Sequence, residues 1–135
     1  MILNQLSVFL ENKPGMLSAF INTLAENNVD LQALSIADSR DYGVLRIIVD
    51  DPSRVAGMLI TKDWPCTVTP VLAVTVPDEP GSLTHILSVL ADGGVSLSYS
   101  YAFFSREKGR AVIVLRVEDN EKAIDLLEKA GISAK

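Results

Sequence analysis

The stretch "LSVFLENKPGMLSAFINTLAENNVDL", residues 6–31, is written a second time as "LAVTVPDEPGSLTHILSVLADGGVSL", residues 72–97, an offset of 66 positions. Leu6 falls on Leu72, Val8 on Val74, Pro14-Gly15 on Pro80-Gly81, and Leu17 on Leu83. Leu24-Ala25 falls on Leu90-Ala91, and Val29 and Leu31 on Val95 and Leu97. Gly43 falls on Gly109, and two extra residues further on in the second copy bring Asp51 onto Asp119. Matches at turn, core and cap positions together mark an internal duplication. The chain must therefore fold as one small unit used twice.

Each copy reads as strand, helix, strand, strand, helix, strand. Residues 2–11 place Leu6, Val8 and Leu10 on one face of a strand. Residues 16–27 carry Leu17, Phe20, Ile21 and Leu24 as an apolar helix stripe. Asn27-Asn28 and Gly93-Gly94 follow the first helix of each copy, and both residue types tolerate the left-handed backbone that ends a helix. Strands over 29–38 and 43–50 are joined by "SRDYG"; in the second copy 95–105 and 110–118 are joined by "REKG". Asp51 before Pro52 and Asp119 before Asn120-Glu121 are helix starts, for helices over 53–62 and 120–130. "CTVTPV" then runs straight into "LAVTV" with no Gly/Ser linker, which puts a boundary near Pro70 and repeats at 1–70 and 71–135. The second copy stops at "GISAK", so its last strand is short or missing.

Two βαββαβ units predict an α+β fold of ferredoxin-like layers: antiparallel sheets with helices on one face, joined side by side. "VLRIIV" (44–49) and "RAVIVLRV" (110–117) are apolar on both alternations, which asks for cover on both faces. About 65 residues also make a marginal core alone. Both points favour packing of the halves together and self-association as a dimer.

Composition narrows the function. The 135 residues are 48% hydrophobic with a net charge of −5 and no basic run, a poor match for nucleic acid or anionic membrane. One cysteine, Cys66, excludes an internal disulfide framework and fits a reducing compartment. No signal peptide or membrane-length apolar run is visible, so the reading is cytoplasmic. The single histidine, His85, lies off the Leu83, Ile86, Leu87, Leu90 stripe, in solvent. Cys66 has no second histidine to activate it and reads as buried and inert. One His and one Cys make no known zinc spacing, no phosphate loop is present, and no cofactor is implied. The carboxylates sit at helix starts and turns, where capping and solvation account for them. Phe103-Phe104 near Arg106 is the one hint of a nucleic-acid face, and core packing explains at least one of those rings. A catalytic set is not visible; an enzyme on this fold is a weak reading, and a nucleic-acid role a weaker one still.

The Pro-Gly loops do have a chemical use. Each helix that follows them begins with free backbone N–H groups and a partial positive charge, and glycine lets a ligand approach. A carboxylate fits there. Asn12 and Asp78 align beside these starts, each with an oxygen that can take an ammonium proton. A carboxylate joined to an ammonium is a free α-amino acid. The plainer alternative is that Asn12 and Asp78 only cap the turn.

The strand followed by "NKPGMLSAFINTLAENNVDL" and again by "DEPGSLTHILSVLADGGVSL" resembles the ACT domain, a small-molecule-sensing module of many amino-acid biosynthetic enzymes. The resemblance covers nearly the whole chain and implies a free-standing tandem ACT protein without a catalytic domain. In that family two units pair side by side, and amino acids bind at their interface. Carried over, one site uses Asn12, Lys13, Pro14, Gly15, Met16 and Leu17, with Ser96, Leu97 and Ser98 opposite. The other uses Asp78, Glu79, Pro80, Gly81, Ser82 and Leu83, with Asp30, Leu31 and Gln32 opposite. Many members have Asn where this chain has Asp30 and Ser96. The resemblance thus implies a regulatory, non-catalytic protein that binds a free amino acid and acts on itself or on an enzyme of amino-acid metabolism. The alternative is a ligand-free ACT pair that serves oligomerisation or protein interaction.

Overall fold

The computed structural model describes residues 1–38, 41–104 and 107–134. Its elements run β1 (Ile2–Glu11), α1 (Met16–Glu26), β2 (Leu31–Asp38), β3 (Tyr42–Val49), α2 (Pro52–Thr61), β4 (Cys66–Pro77), α3 (Ser82–Asp92), β5 (Leu97–Ala102), β6 (Arg110–Val117) and α4 (Asn120–Lys129). These alternate as two antiparallel βαββα series, each with its helices against one sheet face. By internal contacts one compact unit is Asn4–Thr69, and the other joins Met1–Leu3 to the chain from Pro70 onward. The division falls inside β4, where sequence pattern had placed a boundary without a linker. Met1–Leu3 group with the second repeat because the Ala73 N–H donates to the Met1 carbonyl (2.8 Å) and the Met1 ammonium to the Ala73 carbonyl (3.2 Å).

In the first unit β3 lies between β1 and β2, with Leu6 opposite Ile47, Val8 opposite Leu45, and Leu34 opposite Ile47. The alternation puts Leu6, Val8, Leu10, Leu45, Ile47 and Val49 on one face, where Phe20 and Leu24 of α1 and Val55 and Leu59 of α2 close the core. The second unit repeats this with Leu72, Val74, Val76, Leu115 and Val117 against Ile86 and Leu90 of α3 and Ala123 and Leu127 of α4. The sheet face away from the helices is also apolar in places: Ala33, Ile48, Val71 and Val114 are buried there. This accounts for strands 44–49 and 110–117 being apolar on both alternations.

All four helices end in the same way. Asn28 (φ 55°), Asp63 (φ 62°), Gly94 (φ 77°) and Gly131 (φ 80°) take the left-handed conformation one residue beyond the cap. The following N–H then reaches back to the last turn: Val29 to Leu24, Trp64 to Leu59, Val95 to Leu90 and Ile132 to Leu127, at 2.8–3.0 Å. These are Schellman closures. Asn28 and Gly94 carry the turn, while Asn27 and Gly93 keep negative φ. Among the described residues no strand follows α4; Ile132 and Ala134 are buried against the second core instead. The hairpin residues 39–40 and residues 105–106, which include Arg106 at the start of "REKG", lie outside the described residues.

β2 and β5 each hold one irregularity, at the same place. Pairing passes from Leu31–Val49 to Ala33–Ile48, and from Leu97–Val117 to Tyr99–Arg116. Gln32 and Ser98 are therefore the extra residues of two matching β-bulges. The bulge switches parity, so Leu31 and Leu34 can both meet the first core although they are three apart.

Candidate functional site

The two Pro-Gly loops are built from the same hydrogen bonds. The Asn12 N–H donates to the Asp41 carbonyl and the Asp78 N–H to the Gly109 carbonyl, both at 2.9 Å, which ties each loop to the hairpin beside it. The Lys13 N–H reaches back to the Glu11 carbonyl (2.9 Å), as the Glu79 N–H does to Pro77 (3.0 Å). The Met16 N–H then bonds the Lys13 carbonyl (3.2 Å), and the Ser82 N–H the Glu79 carbonyl (3.3 Å). With Gly15 at φ 85°, ψ −10° and Gly81 at φ 95°, ψ −16°, each loop closes as a type II turn. That turn takes proline at its second position and needs positive φ at its third, which explains Pro14-Gly15 and Pro80-Gly81.

The turn delivers an unusual helix start. Neither α1 nor α3 has a side-chain cap or an acidic residue in its first turn. Gly15 and Gly81 accept from Ala19 and His85 (2.9 and 3.0 Å), so the N–H groups of Leu17, Ser18, Leu83 and Thr84 precede the first intrahelical donors. By contrast α2 and α4 are capped in the ordinary way: Asp51 Oδ1 accepts from the Arg54 N–H (3.3 Å) and Asp119 Oδ1 from the Lys122 N–H (3.1 Å). A Cβ placed on Gly15 or Gly81 would meet nothing within 4 Å, so there is room beside both glycines. Asn12 and Asp78 are exposed, and neither side chain makes a hydrogen bond among the described residues. The turns close through backbone groups alone, so capping does not account for these two residues.

Beside each loop lies a groove. In the first unit it holds about 240 Å³ and is lined by Leu10, Glu11, Asn12, Lys13, Leu17 and Ile36, with Gly43 and Leu45 behind. Lys13 Nζ contacts Glu11 Oε2 at 2.7 Å, and that carboxylate raises the lysine pKa by hydrogen bond and charge. In the second unit the groove holds about 620 Å³; Glu79, Pro80, Gly81 and Ser82 line it together with His85, Arg110 and Gly131–Ser133. The structure thus gathers Asn12, Lys13 and Leu17 at one groove and Glu79, Pro80, Gly81 and Ser82 at the other. Pro14, Gly15 and Met16 form the turn and helix start, Asp78 opens its loop, and Leu83 is exposed on α3.

Within each unit, the strand start that follows the first helix stands away from that unit's own Pro-Gly loop. Glu11 pairs with Tyr42 at one end of β3, while Leu31 pairs with Val49 at the other. Pro77 pairs with Arg110 and Leu97 with Val117 in the same sense. Asp30–Gln32 and Ser96–Ser98 are therefore at the far end of the sheet from the loop of their own unit. Leu31 and Leu97 pack on the two cores, and Gln32 and Ser98 form the bulges. Ser96 borders a separate cavity of about 370 Å³ with Gly94, Glu118, Asp119 and Lys122.

Sequence reasoning missed His85 and Arg110 as groove residues. The structure overturns one match of the repeat that hid Arg110: Arg110 pairs with Pro77 as Tyr42 pairs with Glu11, so the two extra residues fall before Gly109, which stands where the first unit has Asp41, and not Gly43. His85 is exposed, as its position off the apolar stripe predicts. Cys66 is half-buried rather than buried, because it sits at the first position of β4; burial pushes its thiol pKa up, away from the reactive thiolate. Among the described residues no group of three or more His, Cys, Asp or Glu could hold a metal ion, and no helix is long and apolar enough to cross a membrane.

No curated protein matches the sequence. Among solved structures, a protein of Bacteroides thetaiotaomicron is 34% identical with a TM-score of 0.91, over 100% of this chain and 92% of that one. The ligand-free regulatory subunit of aspartate kinase from Thermus thermophilus is 14% identical with a TM-score of 0.68, over 94% of this chain and 91% of that one. The aspartate kinase of Clostridium acetobutylicum shares the fold at 13% identity and a TM-score of 0.53, over 94% of this chain and 32% of that longer one. The family model for an ACT domain pair matches residues 1–133. With the repeat, the paired Pro-Gly turns and that match over almost its whole length, the chain belongs to the ACT domain pair family.

Proposed function

We propose that this ACT pair is a non-catalytic regulatory protein that binds a free amino acid at the helix starts behind its Pro-Gly loops. One observation carries the reading: α1 and α3 begin without side-chain caps, with room beside Gly15 and Gly81, while the exposed oxygens of Asn12 and Asp78 beside them make no hydrogen bond among the described residues. The free N–H groups suit the ligand carboxylate, and Asn12 or Asp78 its ammonium. Remaining contacts are proposed from Lys13, Pro14, Gly15, Met16 and Leu17, from Glu79, Pro80, Gly81, Ser82 and Leu83, and from the strand starts Asp30, Leu31, Gln32 and Ser96, Leu97, Ser98. The matching bulges at Gln32 and Ser98 support this, since bulges gather beside functional sites. Binding shifts the population of one arrangement of the protein. The proposed target is the protein's own dimer or an enzyme of amino-acid metabolism in the cytoplasm, in the manner suggested by likeness in fold to regulatory subunits of aspartate kinase.

A thermal-shift screen of the protein against the twenty amino acids tests the reading. A ligand held only by the folded state adds about 2.7 kcal/mol at a hundredfold excess over its Kd. A hit that is lost in Asp78→Ala or Asn12→Ala supports it, and a flat screen overturns it. A flat screen would favour the second reading, an assembly module, for which the specific observation is Phe9. That ring is 60% exposed on the sheet face away from the helices, in register with Val44 and Ala37.

A further inference from the structure

The groove of the second unit carries two cationic or potentially cationic side chains that the first lacks. Arg110 opens β6 opposite Pro77, where the first unit has Tyr42 opposite Glu11, and His85 stands on the first turn of α3 where the first unit has Ala19. Arg110 is exposed, and its guanidinium has no ion-pair or hydrogen-bond partner among the described residues. The lysine of the first groove is different: Glu11 already neutralises Lys13 at 2.7 Å, and the walls beyond it are Leu10, Leu17, Ile36 and Leu45. A cavity of about 620 Å³ bordered both by a guanidinium without a partner among the described residues and by an uncapped helix start offers two anion positions, not one. Glu79 on the same rim supplies the acceptor for an ammonium.

We infer that the second groove selects an amino acid whose side chain ends in an anion, with Arg110 as the specificity-determining residue and His85 flanking it. This rests on the amino-acid reading above and narrows it. The ligand's α-carboxylate takes the helix start, its ammonium the Asp78–Glu79 loop, and its side-chain carboxylate the guanidinium, whose planar fork matches a carboxylate with two parallel hydrogen bonds. In the first groove, of about 240 Å³, the cation is Lys13, which Glu11 already holds at 2.7 Å, so the third contact has no free counterpart there.

Calorimetric titration of the whole protein with glutamate and aspartate, and with glutamine and asparagine as neutral isosteres, tests this. The acid of each pair is expected to bind about tenfold tighter, the range of one charge-assisted hydrogen bond. In Arg110→Gln the acid-to-amide affinity ratio falls to about one, while Arg110→Lys keeps a part of it. Succinate, which lacks the ammonium, binds more weakly than aspartate. Phosphoserine in place of glutamate separates a fit to carboxylate geometry from a fit to any anion. Amide ligands that bind as well as the acids, or a preference that survives Arg110→Gln, overturn this inference and leave amino-acid binding standing. Absence of binding by all twenty amino acids overturns both. Circular dichroism of Arg110→Gln confirms that an exposed residue was removed from a folded protein.

Discussion

At the first loop Lys13 meets Glu11 at 2.7 Å and the groove beside it is walled by leucine and isoleucine. At the second, Asp78 and Glu79 stand in place of Asn12 and Lys13, and the groove is larger and carries His85 and Arg110. Yet the backbone is the same: matching hydrogen bonds differ by about 0.1 Å and the two glycines by 10° in φ. Duplication has kept the part that presents free N–H groups and let the chemistry around it diverge. The two loops teach that backbone geometry and ligand choice are separable, since one is held by Pro-Gly and hairpin hydrogen bonds and the other by side chains that bear none of that load.

The sharpest way to break the comparison is through the cores that support the loops. Phe20 and Ile86 are equivalent, both fully buried, and Phe20 also packs edge-on against Trp64 at 5.3 Å. Phe20→Ala should cost about 3–5 kcal/mol and Ile86→Ala about 2–4 kcal/mol in urea denaturation. A smaller loss at Phe20 than at Ile86 would mean that the first core closes over the gap. Next in size is the turn itself. Gly15→Ala and Gly81→Ala should each cost about 1–2 kcal/mol, from left-handed backbone alone, because neither new Cβ meets an atom. Unequal losses would show that one turn is braced by something that the other lacks. The smallest contrast lies between caps. Asp51→Ala and Asp119→Ala should lower stability by about 1 kcal/mol, whereas Asn12→Ala and Asp78→Ala should change it by less than about 0.5 kcal/mol. A loss at Asp78 equal to that at Asp119 would return Asp78 to a structural role in the turn.

Much of this was legible in the sequence for a local reason. The offset of 66, the alternation of Leu6, Val8 and Leu10, and the Asp-Pro start at 51–52 are each written within a few residues, and the structure contains each as read. What stayed hidden depends on how strands register. The bulges at Gln32 and Ser98 leave only a broken alternation, Leu31 to Leu34, which a strand reading over 29–38 passes over. The left-handed closures at Asp63 and Gly131 align at the same offset as Asp51 and Asp119, but unlike residues fill them and no identity marks the turn. Arg110 enters its groove only because β6 pairs with Pro77, a long-range pairing that no window along the chain contains. The turn geometry of the candidate site could thus be read directly, and its selectivity could not.

The hydrogen bonds between Met1 and Ala73 span 72 positions. A ribosome adding about 5–20 residues per second makes Ala73 roughly 4–14 s after Met1. For that interval residues 1–3 hang from the first unit as an unpaired strand end, exposed to any other chain with an open edge. The pairing of Met1 with Ala73 in the second unit cannot form before then, and it closes a long loop rather than zipping locally. Two repeats written almost alike therefore face different schedules: the earlier one can finish by itself, while the later one waits on a piece of chain translated before either.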